Sequence, residues 1–146
     1  MGNNARGETH TVDQFLESTL ESVDDAEELA VQVAQKAGFD EDELNKIAMA
    51  VRESMVNAVV HGNRYNARKR VHFQVSNGPD RLTVVVADEG EGFDYEKLPD
   101  PLAEENLLRH SGRGIFLMRA FMDEFLIRRV VPAGIEVTLI KYRAAK

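Results

Sequence analysis

Three short motifs in this sequence bring together groups that could do chemistry. The first is a row of polar side chains, Glu53, Asn57 and His61, on one predicted helix. Because residues four apart lie one turn apart on the same helix face, the row would present all three side chains to one side. A carboxylate can accept a proton, and an amide oxygen is a ligand that magnesium accepts. A solvated helix face explains the same row equally well, since exposed faces are usually polar.

The second motif is the acidic, glycine-containing run Asp88-Glu89-Gly90-Glu91-Gly92-Phe93. It comes directly after a predicted buried strand, whose end would deliver Asp88 to the rim of a sheet. Gly90 and Gly92 would let the backbone approach a ligand closely, because neither has a side chain. Taken alone, the run is also typical of an ordinary acidic turn.

The third motif stands at the start of a predicted helix and comprises Ser111, Gly112, Arg113, Gly114 and Ile115. Backbone N–H groups at a helix N-terminus attract anions, and glycines let a phosphate come near. Arg109, His110 and Arg113 add cationic or potentially cationic donors, and the sequence leaves open which of them reaches a phosphate. The spacing fits neither a Walker loop nor a Rossmann turn. A helix entry with surface arginines is the simpler alternative.

The hydrophobic pattern predicts the elements that position these motifs. A first strand is predicted at residues 10–16, a helix from Ser22 to Gly38, and a helix capped by Asp40 that runs to about His61. Strands are predicted at residues 71–76, 82–87, 124–131 and 135–142, with a helix at residues 114–122. The continuous β-branched run in the strand at residues 82–87 predicts burial on both faces. The order predicts an α+β two-layer sandwich, in which helices cover one face of a mainly antiparallel sheet.

Composition narrows the class of protein. The 146 residues fit one domain at residues 9–146 after a loose tail at residues 1–8. The formal net charge of −7 argues against direct nucleic-acid binding, which usually needs a basic surface. The absence of cysteine excludes disulfides and thiolate metal sites. No apolar run approaches the roughly 20 residues that span a bilayer, so we expect no membrane association and a cytoplasmic location.

The order and spacing of the three motifs resemble the GHKL ATPase superfamily, whose domain is also called the Bergerat or histidine-kinase-like ATPase fold. Residues 53–63 resemble its asparagine box, residues 88–92 its first glycine box, and residues 112–115 its second. Within the superfamily, residues 100–123 are most similar to the bacterial anti-sigma-factor serine/threonine kinases. The resemblance extends over residues 12–141.

The resemblance implies ATP and Mg²⁺ as cofactors. It implies that Asn57 holds the magnesium ion and that Glu53 is the general base for attack on the γ-phosphate. Asp88 would accept a hydrogen bond from the adenine amino group, and Gly92 would make room for the base. Residues 94–112 would form a lid over the nucleotide.

Further nucleotide contacts are expected from the remaining members of the three motifs: His61, Gly90, Arg109, Ser111, Gly112, Arg113, Gly114 and Ile115. One position departs from the family pattern. Ile135 follows Gly134, where relatives often have a threonine that supports the adenine aspartate. The missing hydroxyl predicts weaker adenine binding.

The function implied by the resemblance is that of an anti-sigma regulatory kinase. Such a protein phosphorylates an antagonist protein and, when free, sequesters a sigma factor. The resemblance leaves open whether the protein also forms a homodimer. Two alternatives use the same fold: an ATP-binding switch that acts by contact with little or no kinase activity, and a stand-alone ATPase or histidine-kinase catalytic domain. Retention of Glu53 favours catalysis over binding alone.

Overall fold

A computed structural model describes residues 10–90, 114–130 and 132–143. The strands are β1 (His10–Glu17), β2 (Arg70–Asn77), β3 (Arg81–Ala87), β4 (Glu124–Arg129) and β5 (Ile135–Tyr142). The helices are α1 (Leu20–Lys36), α2 (Glu41–Val56), a π-helical turn (Asn57–Gly62) and α3 (Gly114–Phe121). Among these described residues, no helix is long and apolar enough to cross a membrane.

The five strands form one antiparallel sheet in the order β1-β2-β3-β5-β4. Helix α2 packs between α1 and α3, and α1 and α2 both contact the sheet. The core between the two layers contains Phe73, Ile47, Met55, Leu82 and Leu139, all fully buried. The predicted α+β two-layer sandwich with helices on one face is therefore confirmed.

The prediction that the strand at residues 82–87 is buried on both faces is wrong. Buried Leu82, Val84 and Val86 alternate with partly exposed residues along β3. Because the described helices pack against one face, every second residue of the strand faces the side of the sheet away from them. Val85 stands on that side, which shows that a β-branched residue can report strand propensity rather than burial.

The helix caps agree with the sequence in one case and differ in the other. Asp40 caps α2, since its Oδ1 accepts a hydrogen bond from the N–H of Glu43 at 2.8 Å. Helix α1, however, begins at Leu20 and not at Ser22. The extended residue Thr19 is the cap, and its hydroxyl accepts the N–H of Ser22 at 3.1 Å. Ser22 is instead buried inside the first turn.

The end of the second helix also differs from the prediction. An α-helix was expected to about His61, but residues 57–62 form a π-helical turn. The N–H of Asn63 bonds to the carbonyl of Ala58, five residues back, at 2.8 Å. Arg64 and Tyr65 then take left-handed backbone angles, with φ of 53° and 60°, and the chain leaves the helix. Such π-helical turns occur frequently at functional sites.

Candidate functional site

Asp88 lies at the carboxyl end of β3 and is only 7% exposed. Its Oδ1 accepts hydrogen bonds from the N–H of Gly90 at 2.9 Å and of Ile135 at 3.2 Å. Its own N–H bonds to the carbonyl of Ile135 at 3.0 Å. Burial raises the pKa of Asp88 to about 6, because desolvation of the carboxylate outweighs the two amide hydrogen bonds that lower the pKa. The strand end therefore holds an oriented carboxylate that is ionised at neutral pH.

Three glycines pack around Asp88 with no room for a side chain. A Cβ on Gly62 would overlap the Asp88 carboxylate, with Oδ2 as the nearest atom. A Cβ on Gly134 would overlap the carbonyl oxygen of Asp88, and one on Gly90 would overlap the carbonyl oxygen of Gly62. The π-helical turn, the β3 end and the β4–β5 turn thus meet at Asp88. The close packing accounts for Gly90, which was predicted to belong to the site, and adds Gly62 and Gly134.

Asn63, the last residue of the segment that resembles the asparagine box, has a role near Asp88 that the sequence did not predict. It is 2% exposed, and its Nδ2 donates to Ser18 Oγ at 2.9 Å and to the Arg70 carbonyl at 3.0 Å. Its Oδ1 accepts the N–H of Glu89 at 2.8 Å. Ser18 continues the network by donating to the Lys69 carbonyl at 2.6 Å. The one sequence signal was a polar residue directly after the His-Gly that ends a helix.

Glu53 and Asn57 lie one helical turn apart, where α2 passes into the π-helical turn. The N–H of Asn57 bonds to the carbonyls of Glu53 and Ser54. Both predicted site residues are half-buried, whereas His61 is exposed. The six residues from Asn57 lead directly to Gly62, which contacts Asp88. The structure therefore connects the first and second motifs through a single turn of chain.

Part of the predicted site lies outside the described residues, namely Gly92, Arg109, Ser111, Gly112 and Arg113. Residues 94–112, the expected lid, lie there too. Gly114 and Ile115 begin α3, of which the backbone alone is described at these two positions. The phosphate-binding role of the third motif stays a prediction.

Ile135 supports Asp88 through its backbone rather than through its side chain. Both its N–H and its carbonyl bond to Asp88. The aspartate is thus oriented without the hydroxyl that the family pattern would supply at this position. That the missing hydroxyl weakens adenine binding stays a prediction.

The chain has an antiparallel sheet covered on one face, with a buried strand-end aspartate against the end of a helix, and comparison with known proteins assigns it to a class of ATPase domains. Residues 16–141 match the histidine kinase-like ATPase domain. The chain therefore belongs to the histidine kinase-like ATPase domain family.

The similar curated proteins are named serine-protein kinase RsbW. The chain is 32% identical over 116 residues to that of Bacillus subtilis (strain 168), covering 75% of this chain and 71% of the relative. It is 32% identical over 119 residues to that of Staphylococcus epidermidis, covering 75% and 72%.

A solved structure shares the fold. It contains the RsbU and RsbW domains of Rv1364c from Mycobacterium tuberculosis and superposes with a TM-score of 0.68 at 18% identity. The match covers 97% of this chain and 35% of that longer one.

Proposed function

We propose that this protein is an anti-sigma regulatory factor with Mg-ATP-dependent serine/threonine protein kinase activity. The observation that carries the proposal is the buried, ionisable Asp88, set among three glycines at the end of the π-helical turn. Membership of an ATPase domain family and similarity to proteins named serine-protein kinases support it.

Asp88 is the residue that would recognise the base. A buried carboxylate packed against glycines can accept a hydrogen bond from an exocyclic amino group, which adenine has and hypoxanthine lacks. The Gly90 and Ile135 amides hold the carboxylate through Oδ1. Because the pKa is about 6, the carboxylate is a charged acceptor at pH 7.5, whereas in acid it becomes a neutral carboxyl group that accepts more weakly and also donates.

Asn57 and Glu53 would serve the phosphate end of the nucleotide. Magnesium prefers oxygen ligands and usually keeps only one or two from protein beside substrate phosphates and waters. The half-buried amide of Asn57 fits such a site. When bound, the ion neutralises charge on the phosphates. Glu53, one turn earlier on α2, would orient a serine or threonine hydroxyl and take its proton.

The protein partners follow from the resemblance to the anti-sigma kinases. The phosphate acceptor would be an antagonist protein, and the sequestered partner would be a sigma factor. The formal net charge of −7 suits a chain that binds a DNA-binding protein rather than DNA itself. Phosphorylation of the antagonist would then release the kinase to bind the sigma factor.

Transfer of labelled γ-phosphate to a co-encoded antagonist, measured beside ATP affinity by calorimetry, tests the proposal. Wild-type protein should bind ATP with magnesium and label the antagonist, and Asp88→Asn should weaken ATP binding. Glu28→Gln, at an exposed position of α1, is the surface control. Absence of binding at millimolar ATP would refute the proposal. ATP binding and antagonist binding without any labelling would instead support the switch that acts by contact.

A further inference from the structure

Asn63 lies between the start of β2 and the β1–α1 turn on one side and the segment that follows β3, next to Asp88, on the other. Its Nδ2 donates to Ser18, in the β1–α1 turn, and to the carbonyl of Arg70, at the start of β2. Its Oδ1 accepts from the N–H of Glu89. The side chain is 2% exposed, so water does not compete for these three hydrogen bonds. One amide therefore ties the segment after β3 to two other elements.

The hydrogen bond to Glu89 acts on the peptide that joins Asp88 to Glu89. Strand pairing ends at Ala87, and one further backbone hydrogen bond joins the N–H of Asp88 to the carbonyl of Ile135, so the N–H of Glu89 is the first that lies beyond the ladder. The two amides that orient the Asp88 carboxylate belong to Gly90 and Ile135. If the peptide before Glu89 rotates, Gly90 moves relative to the carboxylate that its N–H orients.

We infer that Asn63 is a positioning residue that sets the preference of the site for adenine. The inference rests on the proposed ATP binding and adds to it a residue that touches neither base nor phosphate in the proposed arrangement. Asn63 acts through Glu89 on the direction of the Asp88 carboxylate. The neighbouring Gly62, whose carbonyl contacts Gly90, reinforces the same packing.

The two sides of the Asn63 amide can be tested separately. Ser18→Ala removes one Nδ2 partner and the bond to the Lys69 carbonyl, while the oxygen that holds Glu89 stays in place. Asn63→Ala removes both sides. A role limited to general stability predicts that the two variants affect nucleotide selectivity alike, whereas positioning of Asp88 predicts that only Asn63→Ala does.

The experiment measures calorimetric affinities for ATP and for inosine triphosphate, both with magnesium, far below the unfolding temperature of each variant. Inosine triphosphate has a carbonyl in place of the adenine amino group, so its exocyclic group presents an acceptor to Asp88 where that of ATP presents a donor. Asn63→Ala should lower ATP affinity about tenfold, the order expected for a displaced hydrogen bond to a charged group, and change inosine triphosphate affinity little. Ser18→Ala should keep the wild-type ratio of the two affinities.

The outcomes separate this inference from the proposed function. Wild-type preference for ATP, lost in Asn63→Ala and kept in Ser18→Ala, supports both. If Asn63→Ala keeps the wild-type preference for ATP, with both affinities lowered equally or not at all, the positioning role is overturned. The proposed ATP binding is then unaffected. Wild-type protein that binds neither nucleotide overturns the proposed function with it. If Asn63→Ala does not fold, Asn63→Ser, whose side chain is too short to reach the Glu89 N–H, takes its place in the same comparison.

Discussion

Replacing Asp88 by asparagine should make the nucleotide-free protein more stable at neutral pH. Burial raises the pKa of Asp88 from 3.8 to about 6, because the charged form is poorly solvated at the end of β3. The folded protein therefore holds a proton there more tightly than the unfolded chain does. The contribution of Asp88 to the free energy of unfolding is therefore largest below pH 3.8 and falls as the pH rises through about 6.

The size of the effect follows from the same pKa. Burial thus raises the pKa of Asp88 by about 2.2, from 3.8 to about 6. At 1.36 kcal/mol per unit, the ionised carboxylate costs the folded state about 3 kcal/mol, as an order of magnitude. Asparagine keeps the shape and an oxygen that can accept the Gly90 and Ile135 amides, and it does not ionise. The variant should thus gain up to about 3 kcal/mol above pH 7 and much less near pH 4.5.

Urea unfolding of the nucleotide-free protein between pH 4.5 and 8 measures this difference. The wild type, Asp88→Asn and the exposed-site control Asp25→Asn would be compared under identical salt. The control should follow the wild type within about 0.5 kcal/mol, as surface substitutions usually do. A stability gap for Asp88→Asn that does not widen with pH would show that the amide hydrogen bonds, and not burial, dominate the energetics of the carboxylate. ATP affinity should fall by about 1–3 kcal/mol in the same variant.

Three further substitutions test separate parts of the site. Glu53→Gln should lower phosphoryl transfer about 100- to 10,000-fold and leave ATP affinity nearly unchanged, because it removes a base and keeps the shape; transfer at the wild-type rate would show that Glu53 is not the base. Gly62→Ala should abolish adenine preference and destabilise the fold by about 1–3 kcal/mol, since its Cβ would overlap the Asp88 carboxylate; unchanged calorimetric affinities for ATP and inosine triphosphate would contradict that packing. Ile135→Thr should raise ATP affinity by up to about tenfold if the hydroxyl adds a hydrogen bond beside Asp88, and lower the melting temperature, because Ile135 packs against the core. An ATP affinity unchanged in that variant would mean that the backbone of residue 135 already supplies all the support that Asp88 needs.

The sequence predicted the elements well wherever the signal is local. Alternation of apolar and polar residues placed β2, and an aspartate three residues before a glutamate placed the start of α2. The start of α1 was misplaced because Thr19 and Ser22 both carry a hydroxyl three residues apart, and either can cap a helix. The choice depends on which one is buried, and Ser22 is the one that the core encloses.

The site was predictable only in part, for a similar reason. Asp88 and Gly90 belong to a recognisable motif after a strand, so their residue types and spacing predicted that they are part of the site. The roles of Gly62 and Gly134 depend on close approach to Asp88, from which they are separated by 26 and 46 residues of sequence. The π-helical turn was not predictable either. An apolar pattern at helical spacing does not distinguish hydrogen bonds that reach back four residues from hydrogen bonds that reach back five.

That turn explains how one short segment can serve both ends of a nucleotide. It begins at Asn57, the proposed magnesium ligand, and ends at Gly62, which contacts Asp88, the proposed adenine ligand. Asn63 follows immediately and fixes the backbone beside Asp88. A displacement of the turn would therefore move Asn57, the proposed magnesium ligand, and the residues packed against Asp88, the proposed adenine ligand, at the same time. Substitutions along it should accordingly weaken base recognition and phosphoryl transfer jointly, whereas Glu53, one turn earlier on regular α2, should affect transfer alone.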